Sequence, residues 1–368
     1  MISTLDKYIL RSLIVNYSVA LCVMISLYVT LDMFVNMDEF TEHGYPLSVV
    51  VGNIFSYYWP NIFLYFSQLS GAITLFSCMA VLARMRKLNE LTAILASGVS
   101  LFRVARPIVL FGVCTTALLV VDTELCIPAV AHLLARDHDD ADGKRAYEVL
   151  FLKDRDGALL SAGAFHPLTR EMQRMLVLTR DAAGKIVKTV EADRAHWEPP
   201  SVTQPVGRWQ LERGRSVTRS QEKGNTLRPR GSVREEPVKY YDSDLSPEAI
   251  LMRQAEGWIS YLSLSQLREQ ERAGISARAP IMRAKHNRVA APLVSLVLLL
   301  LGLPFFLDRS PANVLGDTGK CLLACGGCYV TNFVMQSLRP ETETALMAWI
   351  PIFVFATVAM VLIDRIRT

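Results

Sequence analysis

Six apolar stretches fix what this chain can fold into. They run at about Ile9–Val35, Ile54–Ala83, Leu101–Ile127, Val289–Leu307, Leu315–Leu338 and Ala345–Ile363, and each is long enough to cross a bilayer. Backbone in lipid has no water to bond to, so each stretch must be a helix that satisfies its own N–H and C=O groups. Pro60 interrupts the second, which suggests that part of it is an interfacial lead-in, and Pro128 is expected to end the third. The 368 residues are 51% hydrophobic and 20% charged, and gathering the apolar ones into runs is not the spread of a soluble core. Of the seven cysteines, Cys22, Cys78, Cys114, Cys126, Cys321, Cys325 and Cys328, nearly all sit within those runs. They read as small hydrophobes and not as a disulfide framework. The first run is too long for a cleavable signal peptide and lacks a small-residue cleavage site.

Orientation follows from the Lys and Arg residues that flank the spans. Lys7 and Arg11, then Arg84, Arg86, Lys87, Arg103 and Arg106, then Arg309 and Lys320, then Arg365 and Arg367 fall on one side. The acidic run Asp38–Glu42, and Glu341 with Glu343, fall on the other. Six spans with both termini in the cytoplasm satisfy all of these. Arg283, Lys285 and Arg288 at the outer end of the fourth span are the exception; they belong to a long translocated region, to which the rule applies weakly.

That region, between the third and fourth spans, reads as β. Tyr147–Lys153 alternates, and the Asp154–Gly157 turn leads into Ala158–Ala162. Arg174–Thr179, Ile186–Trp197 and Gly207–Val217 follow at short spacing, with an Ala183-Gly184 turn between the first two. Such spacing suggests a small antiparallel sandwich or roll. Arg219–Pro237 is rich in Gly, Pro and charge and is expected to be a loop, while Pro247–Ala273 turns helical and returns the chain to the membrane.

Between the second and third spans lies Arg84–Ser100, charged yet helix-forming from Leu88 to Ala96, with a stop at Gly98. Leu88, Leu91 and Leu95 fall on one stripe, with Asn89 and Glu90 off it. The expectation is a helix along the cytoplasmic membrane surface that offers a contactable polar face to a partner ATPase.

The usual catalytic motifs do not assemble. Gly316–Cys321 contains a Gly-Lys pair, but a P-loop would need glycine at Val314 and Ser or Thr at Cys321. His43, His132, His138, His166, His196 and His286 lack zinc-ligand spacing, and no GxSxG elbow occurs. Cys321, Cys325 and Cys328 line one helical face beside Gly326 and Gly327, the pattern of close helix packing and not of a cluster site. The chain is therefore read as a non-enzyme without metal or cofactor. Polar groups within the spans carry more weight, since burying them in lipid is costly. Asp32, Gln68, Asn332 and Gln336 are of this kind, the last two on one face with Thr331 beside them and Arg339 a turn beyond. Two readings stand: the lining of an amphiphile-holding cavity, or hydrogen bonds between helices. Tyr57, Tyr58, Trp59 and Trp349 fit an aromatic belt.

The order of parts resembles permease subunits F and G of the lipopolysaccharide-transport (Lpt) exporter. Asn89-Glu90-Leu91-Thr92-Ala93-Ile94-Leu95-Ala96-Ser97-Gly98 is similar to that family's coupling-helix pattern of Glu-Leu, apolar residues and Ala-Ser-Gly. Glu191–Trp197 with Gly207–Leu211, and Pro292 through Gly302-Leu303-Pro304-Phe305, are similar as well. The resemblance covers essentially the whole chain. It implies an α+β membrane protein of the bacterial inner membrane, with six transmembrane helices and a periplasmic β-jellyroll-like domain inserted between helices three and four. The divisions are residues 1–128 with the coupling helix at 84–100, 129–285 for the β domain and returning stalk, and 286–368 for the last three spans. The implied partners are a cytoplasmic ABC ATPase dimer, a second permease subunit of the family or another copy of this chain, a periplasmic jellyroll bridge protein, and lipopolysaccharide or a related lipid.

Carried over by position, Glu90 makes the charged contact to the ATPase, Leu91, Ile94 and Leu95 seat the helix, and Arg86 joins the docking set. Spans one and five form a lateral gate, with Asp32, Asn332 and Gln336 near the substrate. One departure is plain. The G-type subunit carries lysines at the outer end of span one, whereas Leu31–Glu39 here has no base, and its acidic groups repel phosphate. Three alternatives follow: the basic groups are Arg283, Lys285, Arg288 and Arg339, or they come from the partner subunit, or the amphiphile is not a conventional phosphorylated lipopolysaccharide. A rival reading is a structural membrane anchor whose β domain binds a cell-envelope partner without transport. A lipid-modifying enzyme would need a polar catalytic cluster that the sequence lacks.

Overall fold

The computed structural model describes residues 4–37, 46–134, 146–154, 157–181, 184–201, 204, 206–221, 231–254, 257–273, 278–307, 314–338 and 344–366. The expected acidic exits Asp38–Glu42 and Glu341 with Glu343, and also Arg339, lie outside these residues.

The first apolar stretch is α1 (Thr4–Val35). The second forms α2 (Leu47–Lys87), 41 residues long and unbroken at Pro60, so about 60 Å from end to end and longer than a bilayer core is thick. A short α3 (Glu90–Ala96) precedes α4 (Leu101–Val121). The third span does not end at Pro128. After Val121 the helix widens into a π turn at Asp122–Cys126 and continues as α5 (Ile127–Leu134). A proline ring clashes with the carbonyl four residues earlier, and a widened turn over those residues gives it room.

Eight antiparallel strands follow: β1 (Tyr147–Lys153), β2 (Leu159–His166), β3 (Glu171–Arg180), β4 (Ile186–Glu198), β5 (Arg208–Glu212), β6 (Arg215–Gln221), β7 (Gly231–Pro237) and β8 (Tyr240–Asp242). The first four form a meander. The 13-residue β4 then serves two partners, β6 along Lys188–Glu191 and β5 along Arg194–Glu198, so the sheet forks; β5 continues to β8 and β6 to β7. Gly207–Val217, expected as one strand, breaks at Arg213 and Gly214. Arg213 takes φ +54°, and a Cβ on Gly214 would lie 2.2 Å from the Val238 carbonyl oxygen. Part of the expected Arg219–Pro237 loop is strand. β7 pairs with β6 as a ribbon whose Arg234, Glu235 and Glu236 are exposed, so it needed no apolar alternation to signal it.

The sheet's core is built on Trp209, fully buried, against Phe165 at 6.5 Å and Trp197 at 5.0 Å between ring centroids. The Trp209 indole N–H donates to the Leu245 carbonyl at 3.3 Å, and Ile250 of α6 (Pro247–Gln254) completes the cluster. Buried Asp154 ties the two ends of the domain together by accepting from Ser243 Oγ at 2.6 Å, Tyr241 Oη at 3.0 Å and the Asp244 amide at 3.1 Å. Burial lowers the pKa of Arg253, which donates to the Lys153 carbonyl, while the carboxylates of Asp154 and Asp244 oppose that shift.

The chain returns through α7 (Leu264–Ala273) to α8 (Arg278–Gly302), then α9 (Val314–Ser337) and α10 (Thr344–Ile366). α8 packs against α2, α4, α9 and α10 and is the centre of the bundle. It comes so close to α4 that a Cβ on Gly112 would sit 2.1 Å from Leu299 Cδ2, and a Cβ on Gly302 would meet Leu75 Cδ1 at 2.5 Å. Among the described residues, five helices are long and apolar enough to span a membrane: Thr4–Val35, Ser48–Lys87, Leu101–Leu134, Ala279–Phe305 and Leu346–Asp364. The remaining expected span, the fifth in chain order, is α9, which has 24 residues but carries Asp317, Lys320, Asn332, Gln336 and four glycines. Its cysteines Cys321, Cys325 and Cys328 are buried on the inner face, where Cys321 Sγ lies 3.7 Å from Met79 Sδ.

Replacing Trp209 by Ala removes the centre of the sheet's core and should destabilise the β domain by about 3–5 kcal/mol. Limited proteolysis of the membrane-embedded protein checks this: new cleavage is expected between residues 147 and 242, with the helices untouched.

Candidate functional site

The helix of the second span runs on past its apolar stretch. α2 runs on through Arg84 and Arg86 to Lys87, and the chain reverses over Leu88 and Asn89. Asn89 adopts φ +59°, the left-handed conformation that asparagine tolerates better than most residues, so the surface helix begins at Glu90 and not at Leu88. Gly98, at φ +85°, closes its far end with an amide hydrogen bond to the Leu95 carbonyl.

This geometry sorts the predicted docking residues. Leu91 is buried, and Ile94 and Leu95 pack partly buried against the same core, so all three seat α3 on its own subunit. Arg86 faces inward too, 5% exposed: its Nη1 donates to Asp317 Oδ2 at 2.7 Å and to the Phe305 carbonyl at 3.1 Å. That contact joins the end of α2 to the first turn of α9 and to the single 3-10 turn Leu303–Phe305 after α8. Glu90 is half-buried and accepts from Tyr8 Oη of α1 at 2.8 Å. Beside it, Asp6 and Arg103 approach at 3.6 Å across the starts of α1 and α4. Outward lie Thr92, Ala93, Ala96 and Ser97, with Leu88 54% exposed at the turn. The result is an exposed face of small side chains, with Leu88 at the turn and the Glu90 carboxylate at its edge.

The predicted cavity residues divide into separate groups. Asp32 is bound to α2, its Oδ2 accepting from Tyr58 Oη at 2.9 Å and from Tyr65 Oη at 3.4 Å. Gln336 Nε2 donates to Asn332 Oδ1 at 3.4 Å, one turn apart on α9, and both side chains are half-buried. α9 reaches α2 at this depth through Tyr329 Oη, which donates to the Gln68 carbonyl at 3.4 Å. Arg288 is not in this group. Its guanidinium donates to the carbonyls of Thr123, Ser260 and Leu262, pinning the returning stalk to the π turn of the third span. In the same π turn Glu124 accepts from the Leu264 amide at 2.9 Å, while Asp122 is buried with Oδ2 unpartnered among the described residues.

Tyr8 and Asp317, which hold the two charged residues flanking the turn, were not among the predicted residues. The only local signal was a phenol near the start of α1 and a carboxylate near the start of α9, both beside basic residues. A shallow cavity of about 240 Å³ on the β domain is lined by Arg174, Arg213, Arg215, Glu191 and Asp193 among others. Arg215 stands across the ladder from Glu191, and Arg213 pairs with Asp193 at 3.2 Å, so this is a charge-balanced solvated face.

Because Arg288 holds three carbonyls, replacing it by Met should free the Ser260–Leu262 turn without disturbing the bundle. Amide exchange in that turn should rise by roughly tenfold or more, the loss of at least one charged hydrogen bond. Unchanged protection measured by mass spectrometry would show that the guanidinium does not pin the stalk.

No curated protein matches the chain. A family model does, the lipopolysaccharide export system permease LptF/LptG, over residues 7–365. With nearly every span, the short helix after α2 and the β domain inside that match, the chain belongs to the LptF/LptG family of lipopolysaccharide export permeases.

Proposed function

We propose that this chain is the non-ATPase permease subunit of an ATP-driven exporter that extracts lipopolysaccharide, or a related amphiphile, from the outer leaflet of the bacterial inner membrane. In this reading residues 1–128 and 286–368 form six spans, α9 being the fifth, with both termini cytoplasmic. Residues 129–285 form the periplasmic jellyroll-like domain and its stalk. The amphiphile passes to that domain and on to a periplasmic jellyroll bridge protein. A second permease subunit, of the same family or another copy of this chain, completes the transport path.

The observation that carries the reading is the face of α3. The helix is seated on its own core by Leu91, Ile94 and Leu95, and leaves Thr92, Ala93 and Ala96 exposed with Glu90 half-buried at their edge. A partner ATPase dimer docks on that face, with Glu90 as the charged contact and Leu88 as the apolar one. Arg86 supports the face from behind and does not touch the partner.

On the other side of the membrane, Asp32, Asn332 and Gln336 border the path of the amphiphile. Arg288 is committed to backbone carbonyls and Lys285 to Glu271 at 2.7 Å, so cations for lipid phosphates come from Arg283, from Arg339 or from the second subunit. Two phenol hydroxyls, from Tyr58 and Tyr65, hold the Asp32 side chain against α2.

Reversing charge at the docking face tests the reading. Glu90→Arg should lower recovery of the ATPase with the permease by roughly tenfold or more, the size of effect expected for a charged interface contact, while the permease keeps its own melting temperature. Co-purification at wild-type yield would contradict the docking role.

A further inference from the structure

α1 and α9 each present a long unburied apolar face. α1 exposes Val19, Val23, Leu27, Leu31 and Phe34 along its outer length. α9 exposes Leu315, Leu323, Val330 and Phe333 at between 60 and 86%, and meets the bundle mainly through its cysteine face. Sulfur contacts there, such as Cys325 Sγ to the Leu298 carbonyl at 3.7 Å, are soft and fix little geometry. Each joins the common core over part of its length only, through Ile9, Leu13 and Tyr17 in α1 and Cys321, Cys325 and Cys328 in α9.

Each is tied by one polar side-chain contact to a different flank of the same turn. Arg86 stands before it and holds Asp317 of α9; Glu90 stands after it and holds Tyr8 of α1. Only Lys87, Leu88 and Asn89 separate the two. The Arg86 end is shielded from water, so salt screens it little, and the Phe305 carbonyl shares the guanidinium and keeps it aimed. The Glu90 end is a hydrogen bond to a carboxylate, a class stronger than neutral pairs.

We infer that Arg86 and Glu90 are two arms of one transmission element: a load applied to α3 moves α9 through Asp317 and α1 through Tyr8. Asp317 and Tyr8 are then positioning residues, acting through the turn and not on the lipid. The inference rests on α3 being the ATPase-docking helix, as proposed above.

The test uses the full permease–ATPase complex in vesicles of phosphatidylethanolamine and phosphatidylglycerol loaded with lipopolysaccharide. Three quantities are read: ATPase recovered with the permease, ATP hydrolysed, and lipopolysaccharide extracted per ATP. Asp317→Asn and Tyr8→Phe should both keep ATPase recovery, yet lower lipid extracted per ATP by roughly fivefold or more, the range of a site-to-site coupling. Tyr8→Phe removes one hydroxyl from a ring that is 46% exposed, so it reports coupling even where Asp317→Asn weakens folding. Unchanged extraction per ATP in both variants overturns the inference and leaves docking standing. Loss of ATPase recovery in them also overturns it, because the contacts would then serve docking itself. Wild-type recovery with Glu90→Arg instead overturns the docking reading beneath it.

Discussion

The guanidinium of Arg86 sits almost without water at the end of an apolar helix bundle, where a charge left alone costs several kcal/mol. Asp317 and the Phe305 carbonyl answer that cost, and in doing so they fix where three separated parts of the chain must meet. The end of α2, the turn after α8 and the start of α9 are brought together, with contacts reaching 219 and 231 residues along the sequence. A buried ion pair of this kind adds little net stability compared with a well-packed apolar substitute. What it does add is register, because a shift of α9 along α2 would leave the buried guanidinium without Asp317. The same logic recurs at the opposite end of the bundle, where Arg288 answers three carbonyls and so sets the stalk of the β domain against the third span.

Much of this architecture was legible in the residues, because lipid leaves helices few alternatives and apolar runs mark them directly. The β region was legible where one face is buried, as at β2 and β4, whose alternation follows Leu160, Ala162, Val190 and Ala192 into the core. It was illegible at β7, a ribbon exposed enough to need no alternation. The break at Asn89 escaped for a local reason. Helix propensity across Leu88–Ala96 is high, and nothing in that pattern reveals that one residue takes a left-handed backbone. Pro128 misled because the widening that accommodates it lies one turn upstream.

The candidate site shows a different kind of gap. Glu90, Leu91, Ile94 and Leu95 could be found from spacing, but which of them faces a partner depends on what lies beneath the helix. Arg86 and Arg288 looked like cations offered to a partner or a phosphate. Both are instead committed to groups far away in sequence, and Tyr8 lies 82 residues from the carboxylate that it holds. No periodicity encodes such pairings. In the proposed reading they matter because they attach the docking face to α1 and α9, two helices with long uncovered apolar faces.

The central claim is that α9 follows the surface helix α3 when the ATPase closes. Paired spin labels test it most directly, since Ser100 just after α3, Leu323 on α9 and Phe353 on α10 are all exposed and can carry them. Distances are measured by pulsed electron paramagnetic resonance in the full complex, before and after trapping ATP hydrolysis with vanadate. The Ser100–Leu323 distance should stay fixed while the Leu323–Phe353 distance shifts. A changing Ser100–Leu323 distance with Leu323–Phe353 unchanged would contradict it.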